Sequence, residues 1–134
     1  MNYRKLGNTG LEVSEIALGC AGFEGKDTAE VVEGVRYALD RGVNLIDLFT
    51  SDPKQRDNMG AAIKGRREQV IIQGHIGSAW KDGQYLRTRD MAEVRPGFDD
   101  LRARMGTETI DIGMIHYVDG MDDWNAVSTG PFMA

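Results

Sequence analysis

Four residues that can do chemistry stand at the ends of four apolar, strand-like runs. They are Cys20 after IALG, Asp47 closing VNLID, His75 after VIIQG and His116 closing IDIGMIH. A carboxylate and two imidazoles are acid–base groups. With the thiol they also form a set of donors that zinc accepts, one from each run. Each has a plainer reading. A strand-end carboxylate can cap a turn or pair with an imidazole such as His75, and a lone cysteine after an apolar run is a small core residue. Parallel strands alternating with helices would bring all four together, because site-forming loops leave from the strands' C-terminal ends.

The elements needed for that arrangement can be read along the chain. Tyr3–Leu6 and Glu12–Ser14 flank Gly7-Asn8-Thr9-Gly10, a β-hairpin pattern. Asp27-Thr28 with Glu30 forms a helix start, Val31, Val35, Ala38 and Leu39 recur at helical spacing, and Gly42 stops the helix. A shorter helix is expected from about Gln55 to Lys64, with Met59, Ala62 and Ile63 as its apolar stripe. Ser78–Arg87 shows no period and reads as a loop carrying Trp80 and Tyr85. A third helix should open at Thr88 and run to about Met105, its core stripe formed by Met91, Val94, Phe98, Leu101 and Met105. Pro96-Gly97 should kink or break it.

The order is a hairpin followed by β-α-β-α-β-α-β, which implies a parallel sheet with helices packed on it. After His116 only a short helical turn is expected, at Asp122–Val127. The chain therefore divides into a unit over 1–127 and an irregular tail, STGPFMA, over 128–134.

The chain has 134 residues, 41% hydrophobic and 28% charged, with a net charge of −5. These values fit one globular domain with a real core. The only basic cluster, Lys64, Arg66 and Arg67, reads as a solvated helix end, and nothing points to nucleic acid or a membrane. No apolar signal segment opens the chain, and the single cysteine fits a reducing compartment, so a cytoplasmic location is expected. The segment after Ile16 lacks G-x-G-x-x-G, which argues against a Rossmann fold.

The segments YRKLGNTGLEVSEIALG, GVNLID, KGRREQVII and IDIGMIH, in that order and spacing, resemble the aldo-keto reductase family, bacterial members above all. The family fold is a (β/α)8 TIM barrel with an N-terminal hairpin. The resemblance implies that this chain is half of one: the hairpin plus four parallel strands alternating with helices. The family's later strands, which supply most NADPH-binding residues, have no counterpart, so no cofactor-binding residue can be assigned.

The family reduces aldehydes and ketones by hydride transfer from NADPH. A Tyr donates the proton, a Lys tunes the Tyr, an Asp holds the Lys and a His orients the carbonyl. By position the Asp is Asp47 and the His is His116, while the Lys position holds His75. The Tyr of the D-T-A-x-x-Y-G pattern falls on Asp52, and its Gly on Pro53. A carboxylate with a reference pKa of about 3.9 is ionised at neutral pH and cannot donate. Losing a general acid costs roughly 10²- to 10⁴-fold. Tyr85 or Tyr117 is the phenol that would have to replace it in space, although neither sits where the family places it.

The expectation is therefore a protein inactive alone as a reductase, acting as an oligomeric half-barrel scaffold or interaction protein. The alternative is a residual NADPH-dependent oxidoreductase or nicotinamide binder in an assembled oligomer. A half-barrel leaves two strand edges open, so self-association, most simply a twofold dimer, is expected. No cofactor is expected for the chain alone. NADPH is what the resemblance implies, and zinc is the metal that Cys20, Asp47, His75 and His116 would suit.

Overall fold

The computed structural model describes residues 1–133; Ala134, the end of the 128–134 tail, lies outside the described residues. Strands β1 (Tyr3–Lys5) and β2 (Glu12–Ser14) pair antiparallel as the opening hairpin. Gly7 and Gly10 take positive φ in its turn, a conformation that glycine adopts without strain.

Four strands then build one parallel sheet in sequential order: β3 (Leu18–Gly19), β4 (Leu45–Leu48), β5 (Ile71–Ile76) and β8 (Ile112–Ile115). In register, Gly19 pairs with Asp47, Asp47 with Gln73, and His75 with Met114. Period-two alternation therefore puts Asp47, Gln73, His75 and Met114 on one face. Ile46, Leu48, Ile72 and Gly74 lie on the other, buried under the helices.

Helix α1 (Thr28–Asp40) begins with a full capping box, Asp27 accepting from the Glu30 backbone and Glu30 from the Asp27 backbone. Its face of Val31, Val35 and Leu39 is buried, and Gly42 terminates it at φ +88°. Helix α2 (Pro53–Ile63) buries Met59, Ala62 and Ile63, as its stripe foretold.

Helix α3 (Met91–Met105) runs through Pro96 without a break, contrary to the expectation of a kink or break there. It is capped by Asp90 and ends at Gly106 in the left-handed region, and Val94, Leu101 and Met105 anchor it in the core. Arg56 reaches across from α2 to bond the Gly97 carbonyl beside the proline. A proline costs a helix one backbone bond, and this packing holds the helix through it.

Ser78–Arg87 is a second hairpin, not a loop. Strands β6 (Ser78–Lys81) and β7 (Gln84–Arg87) pair antiparallel around Asp82-Gly83, both with positive φ. Two positive φ values in a two-residue turn match the right-handed twist of the flanking strands.

A last helix, α4 (Met121–Ser128), crosses the 127/128 boundary. Beyond it Phe132 approaches the Arg89 guanidinium, while Pro131 and Met133 are exposed. Among the described residues no helix is long and apolar enough to cross a membrane.

Arg67 departs from the solvated role expected for the basic cluster. It bonds the Asp111 carboxylate at 2.7 Å and the Val70 and Thr109 carbonyls, tying the start of β5 to the start of β8.

Candidate acid–base site

Three of the four strand-end residues meet. Asp47 leaves β4, His75 leaves the neighbouring β5, and His116 follows β8, on adjacent parallel strands and one face. His75 Nε2 lies 3.0 Å from Asp47 Oδ1, and His75 Nδ1 lies 2.7 Å from His116 Nδ1. Gln73 Nε2 donates to the same Asp47 oxygen at 2.8 Å and steadies the carboxylate.

The fourth member comes from the hairpin that the sequence reading took for a loop. The Tyr85 hydroxyl lies 2.6 Å from His116 Nε2. The cluster is thus a line: Asp47, His75, His116, Tyr85. His116 is almost wholly buried, while Tyr85 is 43% exposed and forms the solvent end. Asp82-Gly83 between two alternating segments was the sequence signal that could have found this tyrosine.

The backbone around His116 is held firmly. Tyr117 adopts φ +47°, a strained value for a bulky residue. Arg89 Nη2 bonds the carbonyls of both His116 and Tyr117 at 2.7 Å, and its Nε and Nη2 also bond Asp123 on α4. Arg87 adds a bond to the Tyr117 carbonyl and pairs with Asp119. The Tyr117 ring lies tilted against the His116 ring, with centroids 4.2 Å apart.

These surroundings decide the protonation of His116. Burial, then the charges of His75, Arg89 and Arg87, push its pKa down to about 4, with Asp119 opposing. His116 is neutral at physiological pH. Burial and Tyr117 push the Tyr85 phenol above its usual range, with Arg87 and Arg89 opposing, so it keeps its proton.

Cys20 takes no part. Burial, with Asp47 adding to it, pushes its thiol up to about 12, and it sits in the core beside Val31, Ile46 and Ile72. A protonated core thiol is neither nucleophile nor metal ligand. The four-residue zinc set is therefore not assembled. His75 turns one nitrogen to Asp47 and the other to His116, so the groups follow one another in a line and do not surround a common point. Among the described residues no three His, Cys, Asp or Glu side chains are placed to hold a metal ion.

Asp52, at the position of the family's tyrosine, has a structural role in the fold. It is the N-cap of α2, accepting from the Lys54 backbone at 3.0 Å ahead of Pro53. Both residues that displace the D-T-A-x-x-Y-G pattern serve the helix start.

Residues 15–129 match the model of the aldo/keto reductase family. The chain belongs to that family. It is 31% identical over 128 residues to the aldo-keto reductase YhdN of Bacillus subtilis, covering 89% of this chain and 39% of that protein. The uncharacterized oxidoreductase YqkF of the same organism is 28% identical over 120 residues, again with 39% of its length covered. A crystal structure described as an aldo-keto reductase from Pseudomonas aeruginosa superposes with a TM-score of 0.81 at 29% identity, over 96% of this chain and 51% of that one. The glycerol dehydrogenase of Gluconobacter oxydans gives 0.71 at 25% identity, over 87% and 39%. This aldo/keto reductase chain thus spans between about two fifths and half the length of the relatives it matches.

The family implies NADPH. A dinucleotide needs donors and cations for its phosphates. The cations beside the acid–base line, Arg87 and Arg89, are engaged by Asp119, Asp123 and two backbone carbonyls, while Arg89 Nη1 is buried without a partner. A cavity of about 400 Å³ between α2, α3 and the β6–β7 hairpin includes no member of the line.

Proposed function

We propose that this chain is an aldo/keto-reductase-type half-barrel that works assembled with a second copy of itself and does not reduce carbonyls alone. The observation that carries this reading is the unpaired state of its sheet. Helices cover one face, whereas the face bearing Asp47, Gln73, His75 and Met114 is only partly covered, with the Asp47 side chain 37% exposed. Among the described residues no further strand joins the sheet beyond β3 and β8. Met114 on that face is 40% exposed.

A barrel of this type closes with eight strands, and open edges pair readily with other chains. The relatives' greater length leaves room in their folds for a second layer of the same kind. A second copy would supply four strands and cover the open face.

Light scattering at micromolar concentration tests this, with a dimer mass expected and a monodisperse monomer overturning it. NADPH titration followed by Trp80 and Trp124 fluorescence tests the second clause, together with turnover on a panel of aldehydes and ketones. No saturable binding and no turnover are expected.

A residual oxidoreductase in the assembled oligomer is the second reading. The unbroken hydrogen-bonded line from Asp47 to Tyr85 favours it, because a phenol at the end of an acid–base line is what carbonyl protonation requires. Saturable NADPH binding by the oligomer would decide for it.

A further inference from the structure

We infer that the cavity between α2, α3 and the β6–β7 hairpin is a binding site for an uncharged aromatic carboxamide, held by Arg56 and stacked on Trp80. The site shares no residue with the acid–base line and is complete within one chain.

The donors of Arg56 are only partly used. A guanidinium donates from Nε and from both terminal nitrogens. Arg56 Nε donates to the Thr50 carbonyl, and Nη1 donates to the Gly97 carbonyl and to Asp100. Nη2 has no hydrogen-bond partner among the described residues. The side chain is only 2% exposed, and it lines the cavity. Buried donors require an acceptor, because leaving them unpaired is costly. A carbonyl oxygen, with its two lone pairs, suits the two hydrogens of Nη2.

The backbone of α3 supplies the complementary group. Pro96 has no N–H and cannot close the helical bond to the Ala92 carbonyl, one turn earlier. Both residues line the cavity. Arg56 thus calls for an acceptor and α3 for a donor, and a carboxamide carries the two side by side.

Charge argues against an ion. Arg56, Arg104 and Lys81 are matched by Asp100, Asp57 and Glu93. A carboxylate in the cavity would face Asp100, and an ammonium would face Arg56, each without a spare counter-ion.

The remaining wall is flat and apolar: Trp80 on β6, Leu86 on β7, Pro53 at the start of α2 and Pro96 on α3. An indole face and proline rings favour an aromatic ring over a flexible chain. The wall is fixed in advance. Ser51 Oγ donates to the Ala79 carbonyl at 2.6 Å, tying β6 to the segment after β4, and Lys81 bonds Glu93 at 2.8 Å, tying β6 to α3. A volume of about 400 Å³ falls in the range of small-molecule sites.

Titration with benzamide, followed by the indole N–H signals in two-dimensional NMR, tests the site. The Trp80 signal should move saturably, while that of Trp124 on α4, which does not line the cavity, should stay. Methyl benzoate keeps the acceptor but has no donor, and benzoate is charged; each should bind about tenfold more weakly than benzamide. Ala92→Trp fills the cavity from an exposed position on α3 and should abolish the shift. Arg56→Lys replaces the guanidinium fork with one ammonium and should weaken benzamide by about tenfold or more. Ala92→Trp leaves the core untouched and decides the matter should Arg56→Lys fail to fold. A Trp80 signal that benzamide does not move overturns the site, as does saturable binding that survives Ala92→Trp. Benzamide binding unchanged in folded Arg56→Lys removes Arg56 from it. Benzoate binding as tightly as benzamide overturns the uncharged class, and methyl benzoate doing so overturns the carboxamide.

Discussion

The Tyr85 hydroxyl lies 2.6 Å from His116 Nε2, although 31 positions of chain separate the two residues. Two local devices create the contact. The Asp82-Gly83 turn reverses the chain so that β7 carries Tyr85 back over the sheet. Arg89 grips the carbonyls on either side of the His116–Tyr117 peptide and fixes where the imidazole stands. The phenol that the family pattern puts five residues after Asp47 is thus absent from its expected place, and another phenol meets the histidine from a different element.

Burying His116 in its neutral form makes folding pH-dependent. Its folded pKa is near 4, against 6.5 for an ordinary histidine. Between those values the unfolded chain binds more protons than the folded one, so stability is full above about pH 6.5 and falls as pH drops toward 4. The loss from this residue should be on the order of 2–3 kcal/mol. Urea midpoints at pH 7 and pH 4.5 should separate more in the parent protein than in His116→Gln. Equal separations would show that His116 is not held neutral.

Asp52 should behave as a cap and nothing more. Asp52→Ala removes the acceptor for the Lys54 backbone and should cost about 0.5–2 kcal/mol in thermal or urea unfolding. Asp52→Asn should restore most of it. The imidazole spectra of His75 and His116 should not move in either variant. A change in those spectra would place Asp52 in the acid–base line and contradict its role at the start of α2.

Strand ends were legible in the sequence because apolar runs bounded by glycine repeat four times, and parallel sheets gather such ends. That argument put Asp47, His75 and His116 together. It could not say how imidazole nitrogens are shared, so it offered a zinc set where the molecule has a line. Cys20 illustrates the same limit: its run placed it at a strand end, but the turn of backbone after Gly19 carries it into the core. Tyr85 was named as a phenol that could stand in from elsewhere, but its element was misread for a different reason. The length of Ser78–Arg87 and its Gly, Asp and Trp content suggested a loop, while its turn dipeptide spelled a hairpin. Pro96 misled because the interhelical packing that holds α3 together is not a local property.

Arg56 is a buried charge that no periodicity revealed. Its Nε donates to the Thr50 carbonyl at 3.0 Å, and its Nη1 bonds the Gly97 carbonyl and Asp100 at 2.9 Å each. It thereby joins the end of β4, α2 and α3. Arg56→Met leaves two carbonyls and a carboxylate short of a donor and should cost about 3 kcal/mol or more. Lysine lacks the forked geometry, so Arg56→Lys should recover less than half of that. Full recovery in chemical denaturation would show that charge alone, and not the three-way bridge, is what the position requires.

Gly60 should be intolerant of any side chain. A Cβ there would stand 2.0 Å from the Arg104 carbonyl oxygen of α3, well inside contact distance. In an exposed helix, alanine for glycine stabilises by roughly 1 kcal/mol. Here the clash with backbone must push α2 and α3 apart, and overpacking of that kind typically costs about 1–3 kcal/mol. The two effects have opposite signs, so the melting temperature of Gly60→Ala decides between them. A fall is expected, because the obstacle is a main-chain carbonyl that cannot rotate away. As an internal comparison, Gly65→Asn lies just past the C-cap Lys64 of α2 at φ +79°, with open space around it. Asparagine tolerates that left-handed conformation, so Gly65→Asn should change the melting temperature far less. A rise for Gly60→Ala would mean that the two helices do not approach as closely as this packing requires.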